Sequence, residues 1–440
     1  MLKLFRLAWP VILSYLAIMT MGLVDLVFVG RVSPEAVGGV GIGTSVFSWF
    51  MMLGIGILTG LDPMVSQAFG AGDRESCFRS FVQGLWVVAL VTWPSMGALY
   101  YLSFHLDWLG VNLAVAAEAG PYLRALVPSM LGVLVFQACR QYLQSMSVVK
   151  VSLWIMLGAN LVNALFNWLL VFGNWGFPKM GAAGSSLATT IARTFMAVVI
   201  ILYLRNWDRK NDQWFSKRSL QFEAERMWKL LKLGVPAALQ FLFEVGFFAL
   251  ATVLAGRFEP VEVAAHQIVL NAASLTFMVP LGIGSATSVL VGQAIGRGDL
   301  TEARSWGWTS LGLGTTFMAC SALVFLAFPT WVLGAYTSDP NTVQFAQGIL
   351  LIAGLFQLSD GAQAVASGAL RGLGQLRVTA TAHLVGHWLV GLPIALWLGI
   401  YGTLRLQGLW IGLSAGLTFV AITLIWRWRV ATQREIQRVI

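Results

Sequence analysis

Long apolar segments recur along the chain at the length that a membrane-spanning helix requires. A bilayer core takes about 20 predominantly apolar residues per helix. Twelve segments of roughly this length are present, six in each half of the chain, at 7–30, 37–60, 81–104, 122–146, 151–172, 182–204, 232–255, 263–286, 305–329, 345–368, 378–401 and 407–430. The pattern predicts an all-α integral membrane protein with twelve transmembrane helices.

The second half of the chain repeats the first at a constant offset of 226 residues. Small, polar and proline residues recur in register, so that Pro10, Gly30, Arg31, Gly70 and Asp73 return as Pro236, Gly256, Arg257, Gly296 and Asp299. The repeat predicts two pseudo-symmetric six-helix bundles, over 1–205 and 229–440, joined by a cytoplasmic linker at 206–228. Membrane proteins with two similar halves often bind substrate between them, so the repeat favours a transporter.

The composition agrees with a membrane protein and argues against a nucleic-acid partner. Hydrophobic residues make up 58% of the chain and charged residues 11%, against about 25% charged residues in soluble proteins. The net charge of +9 comes from basic residues that concentrate on one side of the predicted spans; the other side carries only Arg31, Arg124, Lys179, Arg257 and Arg405. By the positive-inside rule we expect an inner (plasma) membrane protein with both termini cytoplasmic.

The motifs of intramembrane enzymes are absent from the sequence. It has no Asp-Asp-x-x-Asp cluster for Mg²⁺ and diphosphate and no His-Glu-x-x-His pattern of a metal hydrolase. Cys77, Cys139 and Cys320 show no pairing pattern, and the first apolar run is a full span without a cleavage motif. We therefore expect a protein that is not an enzyme, with no disulfide framework, no cleaved signal and no cofactor.

Glycine-rich segments, QAFGAGDRES and QAIGRGDLTEAR, follow the second span of each half. A Gly-x-Gly beside charges can cradle phosphate, but no strand precedes these segments and no Lys-Ser/Thr follows them. Glycine after a helix end is more often a C-cap, and we interpret both segments in that way. The polar stretch 205–229 is interpreted as an interfacial amphipathic linker.

Four acidic residues lie inside predicted spans, where an ionisable side chain is costly and commonly marks function. Asp62 precedes Pro63 near a span end, and we expect it to cap a helix or to reach the interface. Asp25, Glu244 and Asp360 have no basic residue within one helical turn, so each must be protonated, bind a cation or face water. None of these three has an acidic counterpart in the other half, which indicates different chemistry in the two bundles.

Polar side chains at helical spacing accompany these acids. An i,i+4 spacing places two side chains on one helix face, and it holds for Gln240–Glu244, Gln267–Asn271 and Asn163–Asn167. Such groups suit a hard cation, and they equally suit hydrogen bonds between helices. The imidazoles that could relay protons are those of His266, His383 and His387. Arg193, deep within a span, could pair with a carboxylate or approach the interface.

Several longer segments carry a family resemblance over essentially the whole chain. In the first half they are WPVILSYL, VDLVFVGR, PMVSQAFGAGD, NLVNALFNWLLVFG and GAAGSSLAT. In the second half they are GVPAALQFLFEVGFFAL, AAHQIVLNAASLTFMVPLGIGSATSVLVGQAIGRGD and SDGAQAVASGALRGLG. On these segments the chain resembles the multidrug and toxic compound extrusion (MATE) transporters, in their NorM-like branch.

The resemblance implies two bundles that form a V-shaped cleft and alternate access across the membrane. It implies export of cationic amphipathic compounds by antiport with Na⁺ or H⁺. Glu244 and Asp360 match the family's cation-site carboxylates, which would bind Na⁺ in a sodium-coupled member. Asp25 matches a first-helix acid that is associated with coupling and drug interaction.

Further positions follow from the same resemblance. Asn163 and Asn167 match polar positions of the first bundle, and the second of them is Asp in another branch of the family. Phe356 stands where some NorM-like members carry a Tyr, so a hydroxyl ligand is missing from the implied cation site.

The alternative transporter is a flippase for lipid-linked sugars, since related families share the two-bundle plan. A flippase would need a strongly cationic cavity for pyrophosphate, whereas three buried acids and one intramembrane Arg favour cationic cargo. Because one chain carries both halves, we expect a functional monomer that contacts small cationic amphipathic molecules and membrane lipid. The choice between Na⁺ and H⁺ stays open, because buried carboxylates can bind sodium or carry protons.

Overall fold

The computed structural model describes residues 1–110, 112–211, 220–433 and 438, and these residues form helices joined by short turns, without a strand. The all-α prediction is confirmed. The helices are α1 (Leu2–Val29), α2 (Pro34–Leu58), α3 (Leu61–Gly70), α4 (Arg74–Leu102), α5 (Leu113–Leu126), α6 (Ser129–Ser145), α7 (Lys150–Phe172), α8 (Gly181–Asn211), α9 (Ala224–Ala255), α10 (Pro260–Arg297), α11 (Leu300–Ala327), α12 (Pro329–Gly334), α13 (Pro340–Gly372), α14 (Leu376–Tyr401) and α15 (Arg405–Ala431).

Within the described ranges, 11 helices are long and apolar enough to cross a membrane when α2 and α3 are taken together. Helices α5 and α6 pass the same test as a pair that is bent by 48°. Pro128 lies at this break, and proline interrupts a helix because it has no N–H to donate to the preceding turn. With the bent pair counted as one span the number is 12, in agreement with the sequence pattern.

Two helices continue well beyond the span ends that hydropathy predicts at 60 and 286. Helices α2 and α3 together reach Gly70, and α10 reaches Arg297. The polarity of these extensions suggested loops, but their glutamines are buried: Gln67 is 0% exposed and its Nε2 donates to the carbonyl oxygen of Gly372 at 3.0 Å. Hydropathy therefore placed these two ends wrongly, because it scores a polar side chain as solvated wherever it lies.

The glycine-rich segments after these helices are turns that end one helix and begin the next. Gly72 and Gly298 have φ of 78° and 80°, in the left-handed region that glycine adopts without strain. The following aspartates cap the next helices: Asp73 Oδ1 accepts from Ser76 N at 2.8 Å, and Asp299 Oδ1 accepts from Glu302 N at 2.7 Å. These contacts agree with the structural interpretation of both segments.

The chain forms two compact units. The N-terminal unit comprises Leu13–Leu61 and Asp73–Gly234, and the C-terminal unit comprises Met1–Ile12, Asp62–Gly72 and Val235–Ile440. Each unit is built mainly from one of the two repeated halves, but the C-terminal unit also includes the start of α1 and α3 from Asp62 onward.

Close helix contacts in the C-terminal unit depend on glycine. A methyl group at Gly307 of α11 would overlap the indole of Trp428 on α15, and one at Gly368 of α13 would overlap the backbone of Gly284 on α10. Small residues allow such approach in a membrane, where helices associate by packing and not by the hydrophobic effect.

The linker is described only at its two ends. Helix α8 continues to Asn211, and 212–219, the middle of the predicted amphipathic linker, lie outside the described residues. Residues 220–223 lie against α4: Trp86 Nε1 donates to the carbonyl of Leu220 at 3.3 Å, and the guanidinium of Arg79 donates to both carboxylate oxygens of Glu223 at 2.6 Å. These contacts hold the end of the linker on the N-terminal unit.

Candidate functional site

Asp25 of α1 lies in the N-terminal unit among donors from α7 and α8. Its Oδ1 accepts from Asn163 Nδ2 at 3.0 Å and from Asn167 Nδ2 at 2.7 Å, and its Oδ2 accepts from the Thr189 hydroxyl at 2.7 Å. All four side chains are buried. The Oδ1 atoms of Asn163 and Asn167 are buried without a hydrogen-bond partner among the described residues. Carboxylate and amide oxygens of this kind suit a hard cation.

A cavity of about 440 Å³ in the N-terminal unit borders Asp25. This volume is within the usual range of small-molecule sites, about 300–1,000 Å³. Its wall is mostly apolar and includes Met21, Met51, Phe136, Met156 and Met196. Methionine side chains adapt to ligands of different shapes. The arrangement offers one fixed carboxyl group beside an adaptable apolar surface.

Two arginines line the same cavity. Arg193 of α8 donates from Nη1 to the Ser129 hydroxyl at 2.9 Å, and its guanidinium lies 4.9 Å from the centre of the Phe47 ring. Arg140 of α6 is 3% exposed, and its guanidinium lies 4.9 Å from the centre of the Tyr15 ring. Sequence reasoning left the partner of Arg193 open and did not single out Arg140. The structure places Arg140 in the cavity wall.

Glu244 and Asp360 meet in the C-terminal unit. Gln363 Nε2 donates to Glu244 Oε1 at 2.9 Å and to Asp360 Oδ1 at 3.4 Å, so one amide bridges the two carboxyl groups. His383 Nδ1 lies 3.7 Å from Glu244 Oε2. The structure thus brings together two carboxyl groups from α9 and α13 and an imidazole from α14. Sequence reasoning did not identify Gln363 as a site residue. Its i+3 spacing from Asp360 could have done so, because it places both side chains on one face of α13.

The three intramembrane histidines differ in their surroundings. His266 is fixed by hydrogen bonds, since Trp410 Nε1 donates to its Nδ1 at 3.2 Å and its Nε2 lies 3.0 Å from the Thr252 hydroxyl. The ring centres of His383 and His387 are 5.2 Å apart, and their nitrogens have no hydrogen-bond partner among the described residues. The imidazole of His266 is thus held on both sides by its neighbours, while the other two histidines extend the Glu244 cluster.

Two expectations were stated for Asp62. Its side chain lies in the first turn of α3, as a capping residue would, and it is buried, so it does not reach an interface. Its side chain is 0% exposed, and its Oδ2 lies 3.6 Å from Arg371 Nη1, whose side chain is 11% exposed. Both residues belong to the C-terminal unit. Asp62 is buried because α3 packs within the C-terminal unit, so water does not reach its side chain.

The remaining candidates make no hydrogen bond to Asp25, Glu244 or Asp360 in the described part of the chain. Gln240 is buried and makes no hydrogen bond to Glu244 within the described ranges. Gln267 and Asn271 are exposed side chains. Phe356 is 2% exposed and packs edge-on against Trp410, with ring centres 5.7 Å apart. Phe356 thus contributes apolar packing one turn before Asp360.

No group of three or more His, Cys, Asp and Glu side chains in the described ranges could hold a metal ion. The clusters at Asp25 and at Glu244–Asp360 combine carboxyl groups with amides, the kinds of ligand that suit a hard cation.

Comparison with known proteins gives the family. The MatE family model matches the chain twice, over residues 10–169 and 236–397. The two matches begin 226 residues apart, at the offset of the repeat, and together they cover more than two thirds of the chain.

Relatives and solved structures agree with this match. The chain is 35% identical over 435 residues to a "Probable multidrug resistance protein NorM" of Mesorhizobium japonicum, covering 96% of this chain and 92% of the relative. It is 34% identical over 433 residues to the "Multidrug resistance protein NorM" of Burkholderia vietnamiensis, covering 97% and 93%. In fold it is similar to the eukaryotic MATE transporter AtDTX14, with a TM-score of 0.88 at 22% identity over 100% of this chain and 98% of the other. The chain therefore belongs to the MatE family of multidrug and toxic compound extrusion transporters, in its NorM-like branch.

Proposed function

We propose that this protein is a secondary active multidrug efflux transporter that exports cationic amphipathic compounds by antiport with Na⁺ or H⁺. The observation that carries the proposal is the buried carboxyl group of Asp25 at a cavity with an apolar, methionine-rich wall. A carboxylate in a site of low polarity attracts a cation strongly, and the adaptable wall accepts varied apolar bodies. The NorM names of its relatives agree with this assignment.

Coupling is assigned to the second acidic cluster, Glu244 and Asp360, together with Asp25. A cation at these carboxyl groups favours whichever conformation binds it more tightly, because only differential affinity shifts a conformational equilibrium. Drug binding would favour the inward-open state, and an ion that enters from outside would favour drug release. The alternation would take place between the repeated halves, 1–205 and 229–440, connected by the linker 206–228.

The proposal also covers the membrane location and the oligomeric state of the protein. The distribution of basic residues supports an inner-membrane location with cytoplasmic termini. One chain contains both repeats, which supports a functional monomer.

The test uses purified protein in liposomes and a fluorescent cationic dye. A Na⁺ gradient and a pH gradient are imposed separately, on wild-type protein and on Asp25→Asn, Glu244→Gln and Asp360→Asn. We expect dye movement driven by one gradient and lost in the Glu244→Gln and Asp360→Asn proteins, because each loses a negative charge of the bridged pair.

Glu225→Gln is the matched control. Glu225 is on the same helix as Glu244, but its side chain is 84% exposed. Ion-driven transport that survives Glu244→Gln at the rate of Glu225→Gln would refute the assignment of the coupling site. The absence of dye movement in wild-type protein under both gradients would refute antiport itself.

A further inference from the structure

A groove of about 340 Å³ lies between α14 and α15 on the surface of the C-terminal unit. Val378, Thr381 and Val385 border it from α14, and Phe419 and Thr423 border it from α15. These spacings follow one face of each helix, so the groove runs along the helices for two turns, about 11 Å. Its cross-section is then roughly 30 Å², against roughly 80 Å² for a helix 10 Å across. The groove therefore fits an extended chain and is too narrow for another helix.

Helix contact closes the groove at one end. A methyl group at Gly386 of α14 would lie 2.9 Å from the carbonyl oxygen of Gly416 and 2.5 Å from Cγ2 of Val420, both on α15. The two helices therefore touch deep in their spans, and the groove lies between this contact and the helix ends at Leu376 and Ala431. One end of the groove is thus inside the bilayer, and the other is at the membrane surface.

The surface around the groove faces the hydrocarbon of the membrane. Leu384, Ile422 and Trp426 adjoin the groove, and their side chains are 38%, 64% and 61% exposed. Large apolar side chains that are exposed on a membrane-spanning helix contact lipid. Trp426 lies near the end of α15, where aromatic side chains mark the boundary between hydrocarbon and headgroups. The occupant of the groove therefore comes from the lipid phase.

Two arginines stand at the open end of the groove. Arg377 lines it, and Arg427 follows Thr423 by four residues, one turn further along the same face of α15. Arg427 Nε donates to Gln375 Oε1 at 3.1 Å, which holds its guanidinium beside the start of α14. Neither arginine forms an ion pair within the described ranges. Most of their N–H donors are therefore free to bind an anion.

We propose that this groove binds an anionic phospholipid, with one acyl chain between α14 and α15 and the phosphate at Arg377 and Arg427. A guanidinium donates two parallel hydrogen bonds to a phosphate, and basic pockets between transmembrane helices recognise anionic headgroups. A zwitterionic headgroup brings its own cation close to the two arginines and binds less tightly. The groove shares no lining residue with the cavity at Asp25, so the site is independent of the proposed function.

The test is native mass spectrometry of the purified full chain in detergent. The protein is titrated with palmitoyl-oleoyl phosphatidylglycerol and with the phosphatidylcholine that has the same chains, and wild-type protein should bind the phosphatidylglycerol more tightly. Arg377→Gln and Arg427→Gln should each weaken phosphatidylglycerol binding by about 10- to 100-fold, the effect of losing a charge-assisted hydrogen bond. A basic residue that only faces an anionic membrane surface contributes about fivefold. The size of the loss therefore separates a built site from diffuse attraction.

Two further variants control for charge and for shape. Arg429→Gln removes an exposed arginine two residues after Arg427 that does not line the groove, and it should weaken binding by no more than about fivefold. Thr381→Phe keeps both arginines but fills the groove with a larger side chain, so it should also weaken phosphatidylglycerol binding. Because an apolar side chain suits an exposed position on a membrane-spanning helix, this variant tests the site even if an arginine variant fails to fold.

Three results would overturn the site: equal binding of the two lipids by wild-type protein, equal losses in Arg377→Gln and Arg429→Gln, or unchanged binding in Thr381→Phe. Glycerol phosphate carries the anion without the acyl chains and should not displace the bound lipid. Displacement by it would show a site for free phosphate esters and would overturn the lipid assignment. Binding is measured without an ion gradient, so a failure of antiport would leave each of these outcomes unchanged.

Discussion

Replacing Asp62 by Asn removes the charge that faces Arg371 inside the C-terminal unit. The two side chains are 0% and 11% exposed, and their closest atoms are 3.6 Å apart. At an effective dielectric constant of about 20, two unit charges at this distance attract by roughly 4 kcal/mol. Removal of one partner of a buried pair costs about 3–5 kcal/mol, because the other charge stays buried. We expect Asp62→Asn to lower the free energy of unfolding by about 3 kcal/mol, or the apparent Tm by roughly 3–6 °C for a chain of this size.

The assay is thermal unfolding of the purified protein in detergent. Glu225→Gln is the control, because it breaks an exposed ion pair with Lys229 that has an N–O distance of 3.0 Å; exposed pairs contribute little to stability because water screens them. The double variant Asp62→Asn/Arg371→Gln should be more stable than Asp62→Asn alone, since no charge is left unpaired. A fall in Tm for Asp62→Asn no larger than that for Glu225→Gln would refute the reasoning. So would a double variant whose loss of stability equals the sum of the losses in Asp62→Asn and Arg371→Gln.

Three more outcomes are expected. Hydrogen bonds from Arg79 lower the pKa of Glu223 below its ordinary value of 4.5. This contact therefore stabilises the fold above that pH, and the stabilisation is lost as the pH falls through the folded-state pKa. The Tm difference between wild type and Glu223→Gln should be present at neutral pH and vanish in acid. Trp410→Phe leaves the Nδ1 acceptor of His266 without its donor and should cost about 1–3 kcal/mol in thermal unfolding. Gly307→Ala pushes a methyl group into the indole that packs on it and should cost about 1–3 kcal/mol in the same assay.

The spans and the repeat were readable from the sequence because both depend on patterns about 20 residues long. A window of that length averages over single polar residues, which is why it finds α1 or α9 reliably. The same averaging misplaced the end of α10, where Gln293 is 3% exposed inside helical packing. Hydropathy carries no information on which polar residues a neighbouring helix covers.

The candidate site was predictable only in part, for a related reason. An acid in an apolar segment is a rare event, so Asp25, Glu244 and Asp360 were visible without a structure. Thr189 could not be identified from the sequence, because threonine is common in membrane spans. Only the structure shows that its hydroxyl donates to Asp25. Arg140 was not singled out, since a basic residue near a span end is normally solvated, and only the packing of α6 shows it in a cavity wall.

The composition of the C-terminal unit has a consequence for biosynthesis. Met1–Ile12 and Asp62–Gly72 belong to it, so these two segments complete their packing only after residues from Val235 onward have been made. Contacts of such long sequence separation form late and slowly. A gene divided within the linker would give no fragment that contains the whole unit. Two co-expressed fragments would have to associate before either could complete its packing, in the manner of an obligate heterodimer.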